Sequence, residues 1–231
     1  MKAYERFLEY VAVWTTSDEN SDTVPSAARE LDLAKKLVEE MKGLGIEDAR
    51  VDVKGYVYGS VPATPGCEDK AALGLIAHMD TAMDASGKDI KPQLIKNYDG
   101  GDVVLGTSGN VLSVAEFPHL AGLKGRTLIT TDGTTLLGAD DKAGIAEILT
   151  AVDEIVKEGL PHGKICIGFT PDEEIGRGSD YFDVEGFGAD YAYTLDGDAE
   201  GEIQYENFNA STGFVTCHGV SVHTGSAKDI M

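Results

Sequence analysis

Apolar positions along this chain follow two rhythms. Over residues 2–14 and 26–42 they recur at helical spacing. In the second stretch Ala27, Leu31, Ala34, Val38 and Met41 make one face with Leu37 beside it, and Gly43 and Gly45 supply the stop. Alternation in VDVKGYVYG predicts a hairpin-type strand pair. AALGLIAH (71–78) and KICIGFT (164–170) are continuous apolar runs, as strands buried on both faces should be. ADYAYTL (189–195) reads as another strand. The short run TLLG (135–138) also looks like a buried strand, leading into a helix over about 142–158 that Gly159 ends. Strands alternating with helices predict an α/β fold, a mostly parallel central sheet flanked by helices. Residues 81–126 interrupt it as a long polar insertion with turn signals such as Asp99-Gly100-Gly101 and an expected hairpin. From about 207 the texture changes to STGFVTCHGVSVHTG, the expected opening strands of a second unit. The organisation is therefore a first domain over 1–206 and the beginning of a smaller α+β domain over 207–231.

Composition narrows the function classes. With 40 acids against 19 bases the formal charge is −21, a field that repels phosphate backbones and anionic membranes, so neither nucleic acid nor a membrane is an expected partner. A hydrophobic fraction of 42% allows a sizeable core. Cys67, Cys166 and Cys217 are odd in number, far apart and without C-x-x-C spacing, which suits a reducing cytoplasm; Cys166 reads as a small buried thiol. The N-terminus MKAYERFLEYVAVW has no apolar signal core, and no stretch reaches membrane-spanning length, so the expected location is cytoplasmic.

In so acidic a chain single acids carry little information. His78-Met79-Asp80 is no more than chance supplies, and Glu39-Glu40, Glu47-Asp48 and Glu68-Asp69 read as solvated surface. Position is more telling. His78 ends AALGLIA, Asp140-Asp141 follow TLLGA, Asp172-Glu173-Glu174 follow KICIGFTP, and Asp196 follows ADYAYTL. Ligands of open α/β sheets bind at the C-terminal ends of the strands. So many acids on one edge would repel one another unless a cation neutralised them, and imidazole with carboxylates is the ligand set of zinc and its neighbours. No G-x-S-x-G elbow, complete Walker loop or G-x-G-x-x-G is present. The segment from Asp196 to Gly201 mimics a calcium loop, but its twelfth position is Asn207 and a strand, not a helix, precedes it.

The combination GLIAHMDTA, TLLGADDKAGIAEIL, FTPDEEIGRG and TLDGD resembles the di-zinc aminopeptidases and deacylases, the family of carboxypeptidase G and the aminoacylases. NYDGGDVVLG, TLITTDG and YENFNA extend the likeness toward the family's cytoplasmic tripeptide aminopeptidases and cover the chain to Met231. The resemblance implies two zinc ions and a small peptide substrate losing its N-terminal residue; homo-oligomers are compatible with it. It makes Asp140 the bridge between the metals, with a cis peptide between Asp140 and Asp141. His78 and Asp196 complete one zinc site, and Glu174 binds the second zinc. Asp80 orients the His78 ring, Glu173 is the general base, and His223 in the lid domain contacts the substrate oxyanion. The family's last zinc-ligating histidine and the strands completing its sheet have no counterpart before Met231, so the expectation is an N-terminal part of such an enzyme with an incomplete second site. A related carboxypeptidase or deacylase, and a non-catalytic metal-binding fragment, are the rival readings.

Overall fold

The computed structural model describes residues 1–219 except 198, 207, 208 and 212. Contacts divide the chain into one unit over Met1–Asp196 and another over Gly197–Met231. In the second, no helix or strand forms among the described residues, although strands were expected from 207.

The first unit is built on a five-stranded sheet in the order β1(Arg50–Val51), β2(Val57–Val61), β8(Ile165–Thr170), β3(Leu73–His78), β9(Tyr191–Thr194). The strands β8, β3 and β9 run parallel, as continuous apolar runs predict, while the β1–β2 hairpin adds an antiparallel edge. Its turn is set by Asp52, whose carboxylate accepts the amides of Lys54 (2.8 Å) and Tyr56 (3.0 Å).

Alternation along the central strands sorts side chains to two faces. Ile165, Ile167 and Phe169 of β8, with Leu75 and Ala77 of β3, join the main core under α1(Ala3–Val11), α2(Glu30–Gly43) and α3(Ala139–Glu158). Cys166 points the other way, into an aromatic layer of Tyr56, Tyr58 and Phe187, the last on the one-turn α4(Val184–Phe187). It is a buried thiol, as expected, with Sγ 3.6 Å from the Gly188 carbonyl oxygen.

Three expectations change. The α2 helix begins at Glu30, not 26: the Glu30, Leu31 and Asp32 amides donate three residues back, to the Ala27, Ala28 and Arg29 carbonyls, and the Ser26 and Ala27 amides are taken by the Asp172 and Glu30 carboxylates. Its buried face is Glu30, Leu33, Ala34, Leu37 and Met41; Ala27, Ala34, Leu37 and Met41 are buried as expected, while Leu31 and Val38 are only partly buried. Glu40 is not solvated surface: it accepts from Arg6 Nε (2.7 Å) and the Tyr10 hydroxyl (2.7 Å), and Arg6 also reaches Asp153 (3.0 Å). Third, residues 135–138 are not a strand. The Leu136 amide donates to the Ser86 carbonyl, and Gly138 turns into α3 with φ 74°.

The insertion carries the expected hairpin, β5(Val103–Val104) with β6(Val111–Leu112), and a second antiparallel pair, β4(Gln93–Ile95) with β7(Leu128–Thr130). Tyr98, Val103 and Leu120 give it a small core of its own. Among the described residues, no helix is long and apolar enough to cross a membrane.

Candidate metal centre

His78 is the last residue of β3, at the C-terminal edge of the parallel strands. Its backbone N–H donates to Asp141 Oδ2 (3.1 Å), which ties the strand end to the start of α3. The ring is almost fully buried. Its Nδ1 lies 3.1 Å from the Asp80 carbonyl oxygen and 3.3 Å from Asp80 Oδ1, which leaves Nε2 aimed outward. That atom is 2.7 Å from Asp140 Oδ1, 3.8 Å from Asp196 Oδ2 and 3.9 Å from Glu173 Oε2.

Each acid arrives on a different element. Asp140 and Asp141 interrupt the first turn of α3 with non-helical backbone angles, and the peptide between them is cis. The Asp140 carboxylate is exposed, whereas Asp141 turns inward to accept the His78 and Gly144 amides. Gly144 is required here, since a Cβ would collide with the Leu195 carbonyl oxygen and Asp141 Oδ1. Glu173 and Glu174 open a 3-10 turn (Glu173–Ile175) just past β8. Both of their amides are accepted by the fully buried Asp80 carboxylate, at 2.9 and 3.1 Å. Asp80 thus braces the imidazole and the paired glutamates at once. Asp196 follows β9, with the Leu195 amide donating to the Ile76 carbonyl of β3.

Charge crowding shows in the proton affinities. Burial alone would push the His78 imidazole down, but the Asp80 hydrogen bond and charge, with Asp141 and Asp196, raise it to about 10. Burial raises the Asp196 carboxyl to about 6; His78 opposes that rise and Asp140 and Glu173 add to it. Burial, then the Asp140 charge, also raises Glu174. Asp141, raised to about 8 chiefly by burial, faces backbone amides and serves the frame.

The donor set fits a divalent cation. One donor atom from each of His78, Glu173 and Asp196 lies within 4.8 Å of the others, and the same holds for His78, Asp140 and Glu174. Nitrogen and carboxylate oxygen donors are what zinc-like cations take, and a cation there would offset both the burial and the neighbouring negative charges that raise Asp196 and Glu174. All six expected residues of the first unit, His78, Asp80, Asp140, Glu173, Glu174 and Asp196, are therefore gathered at one edge; His223 lies outside the described residues. Asp172 is marked by its place after KICIGFTP, but its bracing by Glu30 and Ser26 has no signal in the sequence.

Comparison with known proteins follows the same line. Residues 131–212, which hold Asp140, Glu173, Glu174 and Asp196, match the model of peptidase family M20/M25/M40. It is 58% identical over 229 residues to peptidase T of Clostridium acetobutylicum, covering 98% of this chain and 56% of that protein. With peptidase T of Clostridium perfringens strain SM101 the identity is 55% over 232 residues, covering 100% of this chain and 56% of that protein. The chain thus spans about half the length of the curated relatives it matches. Among solved structures, the aminopeptidase PepT of Bacillus cereus superposes with a TM-score of 0.60 at 27% identity, over 86% of this chain and 43% of that one. A tripeptidase of Staphylococcus aureus gives 0.58 at 26% identity, over 86% of this chain and 43% of that one.

Proposed function

We propose that the protein is a zinc-dependent aminopeptidase that removes the N-terminal residue of tripeptides. The observation that carries this reading is the meeting of one buried imidazole and four carboxylates, from four separate chain segments, at the C-terminal edge of β3 and β8. The kinship with peptidase T and with a tripeptidase points to the substrate class.

In this reading His78 Nε2, Asp140 and Asp196 hold one zinc, and Asp140 with Glu174 contributes to a second. Bound zinc would supply Lewis-acid polarisation of the scissile carbonyl and acidify water. The chain's own groups do the rest. Asp80, at the His78 Nδ1 side, holds the imidazole so that Nε2 is the free donor. Asp80 also anchors the Glu173 main chain, so the Glu173 carboxylate projects from a fixed point with Oε2 3.9 Å from His78 Nε2. Glu173 takes a proton from the attacking water and returns it to the leaving amine. Lying half exposed, it is accessible to substrate. His223, outside the described residues, remains the proposed contact to the oxyanion.

The test is a panel of tripeptides, dipeptides and N-acyl amino acids offered to the zinc-loaded protein. Release of the free N-terminal residue from tripeptides supports the reading. Cleavage of N-acyl amino acids alone would replace it with a deacylase.

A further inference from the structure

Behind the paired glutamates lies a second carboxylate interlock that the chemistry above does not use. Asp172, fully buried, sits directly before Glu173 with φ 58°, a left-handed conformation that non-glycine residues adopt at a cost. Both of its carboxylate oxygens face the Ser26 amide, at 2.9 and 2.8 Å. Its own amide donates to Glu30 Oε2 (3.1 Å), and Glu30 Oε1 accepts from the Ala27 amide (3.1 Å) and the Ser26 hydroxyl (3.3 Å). Glu30 is 1% exposed. Three successive amides, those of 172, 173 and 174, are therefore captured by two buried carboxylates, Glu30 for the first and Asp80 for the other two.

Such an arrangement is costly to assemble, because buried carboxylates need their hydrogen bonds satisfied and here receive them from backbone. It removes the local freedom that would let the turn swing. The effect falls on Glu173, whose carboxylate is exposed, and on Glu174, whose half-buried carboxylate also takes a backbone hydrogen bond from Ala82.

We propose that Glu30 and Asp172 are positioning residues for the metal centre, locking the turn that presents Glu173 and Glu174 to the beginning of α2. The proposal rests on the metal-centre reading above for its consequence, though not for its geometry. Local order at a site is a matter of where the main chain is held, and a displacement of about 1 Å at a catalytic carboxylate is enough to cost large factors in function.

The experiment compares Glu30→Ala, Asp172→Ala and the conservative Asp172→Asn with the parent chain. Asn tolerates the left-handed region and keeps one oxygen for the Ser26 amide. Two quantities are measured well below each variant's melting point: hydrogen exchange at the 172–174 amides, and zinc affinity by competition with a chromophoric chelator. The expected result is exchange at least tenfold faster at 172–174 with β8 protection unchanged, and zinc bound at least tenfold more weakly, in both alanine variants. Asp172→Asn should stay within threefold of the parent on both. Exchange unchanged at 172–174, acceleration spread evenly into β8, or zinc affinity unaltered in a folded alanine variant would overturn the positioning role. Should an alanine variant fail to fold, Glu30→Gln, which keeps the size and one acceptor, is read by the same two criteria. A parent chain that binds no zinc would remove the metal reading, and the exchange comparison would then decide the interlock by itself.

Discussion

His78 Nε2 lies 2.7 Å from Asp140 Oδ1, although 62 residues separate the two in sequence. The approach is framed from behind: the neighbouring Asp141 carboxylate accepts the His78 backbone N–H, so the strand end and the helix start share one anchor. One member of the acid pair builds the frame and the other faces solvent.

If this frame holds a cation, zinc should stabilise the fold. At a free zinc concentration about a hundredfold above Kd, mass action contributes about 2.7 kcal/mol, or a rise in melting temperature of roughly 5–10 °C. The measurement is differential scanning calorimetry with zinc and after chelator dialysis. Identical melting curves would argue against a metal centre.

The two glutamates should separate by role. Glu173→Gln is expected to retain zinc while the protein loses turnover by about 10²- to 10⁴-fold, because a general base is removed. Glu174→Gln is expected to lose zinc first. Elemental analysis of the two variants decides it, and the opposite pattern would exchange their assignments.

Arg6 is buried with Glu40 at 2.7 Å and Asp153 at 3.0 Å, and it also donates to Thr150 and the Met1 carbonyl. Removing the guanidinium leaves Asp153 inside with less compensation. Arg6→Ala should therefore cost about 3–5 kcal/mol in urea denaturation, well beyond the loss of a surface pair. A cost near zero would mean that Lys157, 2.9 Å from Asp153, suffices on its own.

Burial, with the charges of Asp172 and Asp80 adding to it, raises the Glu30 carboxyl to about 8 from an ordinary value near 4.5. The folded chain then holds a proton that the unfolded chain has released. The Glu30 contribution is fully present below about pH 4.5 and is lost as pH rises through about 8. Metal-free protein should accordingly become less stable from pH 5 to pH 8, and Glu30→Gln should flatten that part of the slope. Parallel slopes for parent and variant in chelator-containing urea titrations would refute the assignment.

Gly144→Ala inverts an ordinary helix rule. Alanine in a helix interior normally gains about 1 kcal/mol over glycine. Here the added Cβ would meet the Leu195 carbonyl and the Asp141 carboxylate, next to Asp196. Lower melting temperature and weaker zinc binding are expected together, and a more stable variant would show that the β9 end gives way freely.

The chain alone specified much of this protein. Continuous apolar runs marked β3 and β8 because strands covered on both faces cannot alternate, and Gly159 marked the end of α3 with φ 63°. Parallel strand direction brings His78, the Glu173–Glu174 pair and Asp196 to one edge, as their places after apolar runs led one to expect, whereas Asp140 reaches it from the turn into α3 rather than from a strand. What tertiary structure decided was which acid does what. Asp140 and Asp141 are chemically identical, and only the turn into α3 sends one outward and the other onto the His78 and Gly144 amides. Glu40 and Glu30 look like surface acids in a helical pattern until distant segments arrive: Arg6 and Tyr10 pair with a half-buried Glu40, and the Asp172 amide with a fully buried Glu30. The run 135–138 has strand-like composition, yet Ser86 takes its Leu136 amide before any ladder can form. In each case the deciding partner is remote in sequence, and a one-dimensional pattern carries no record of the hydrogen bonds that burial makes obligatory.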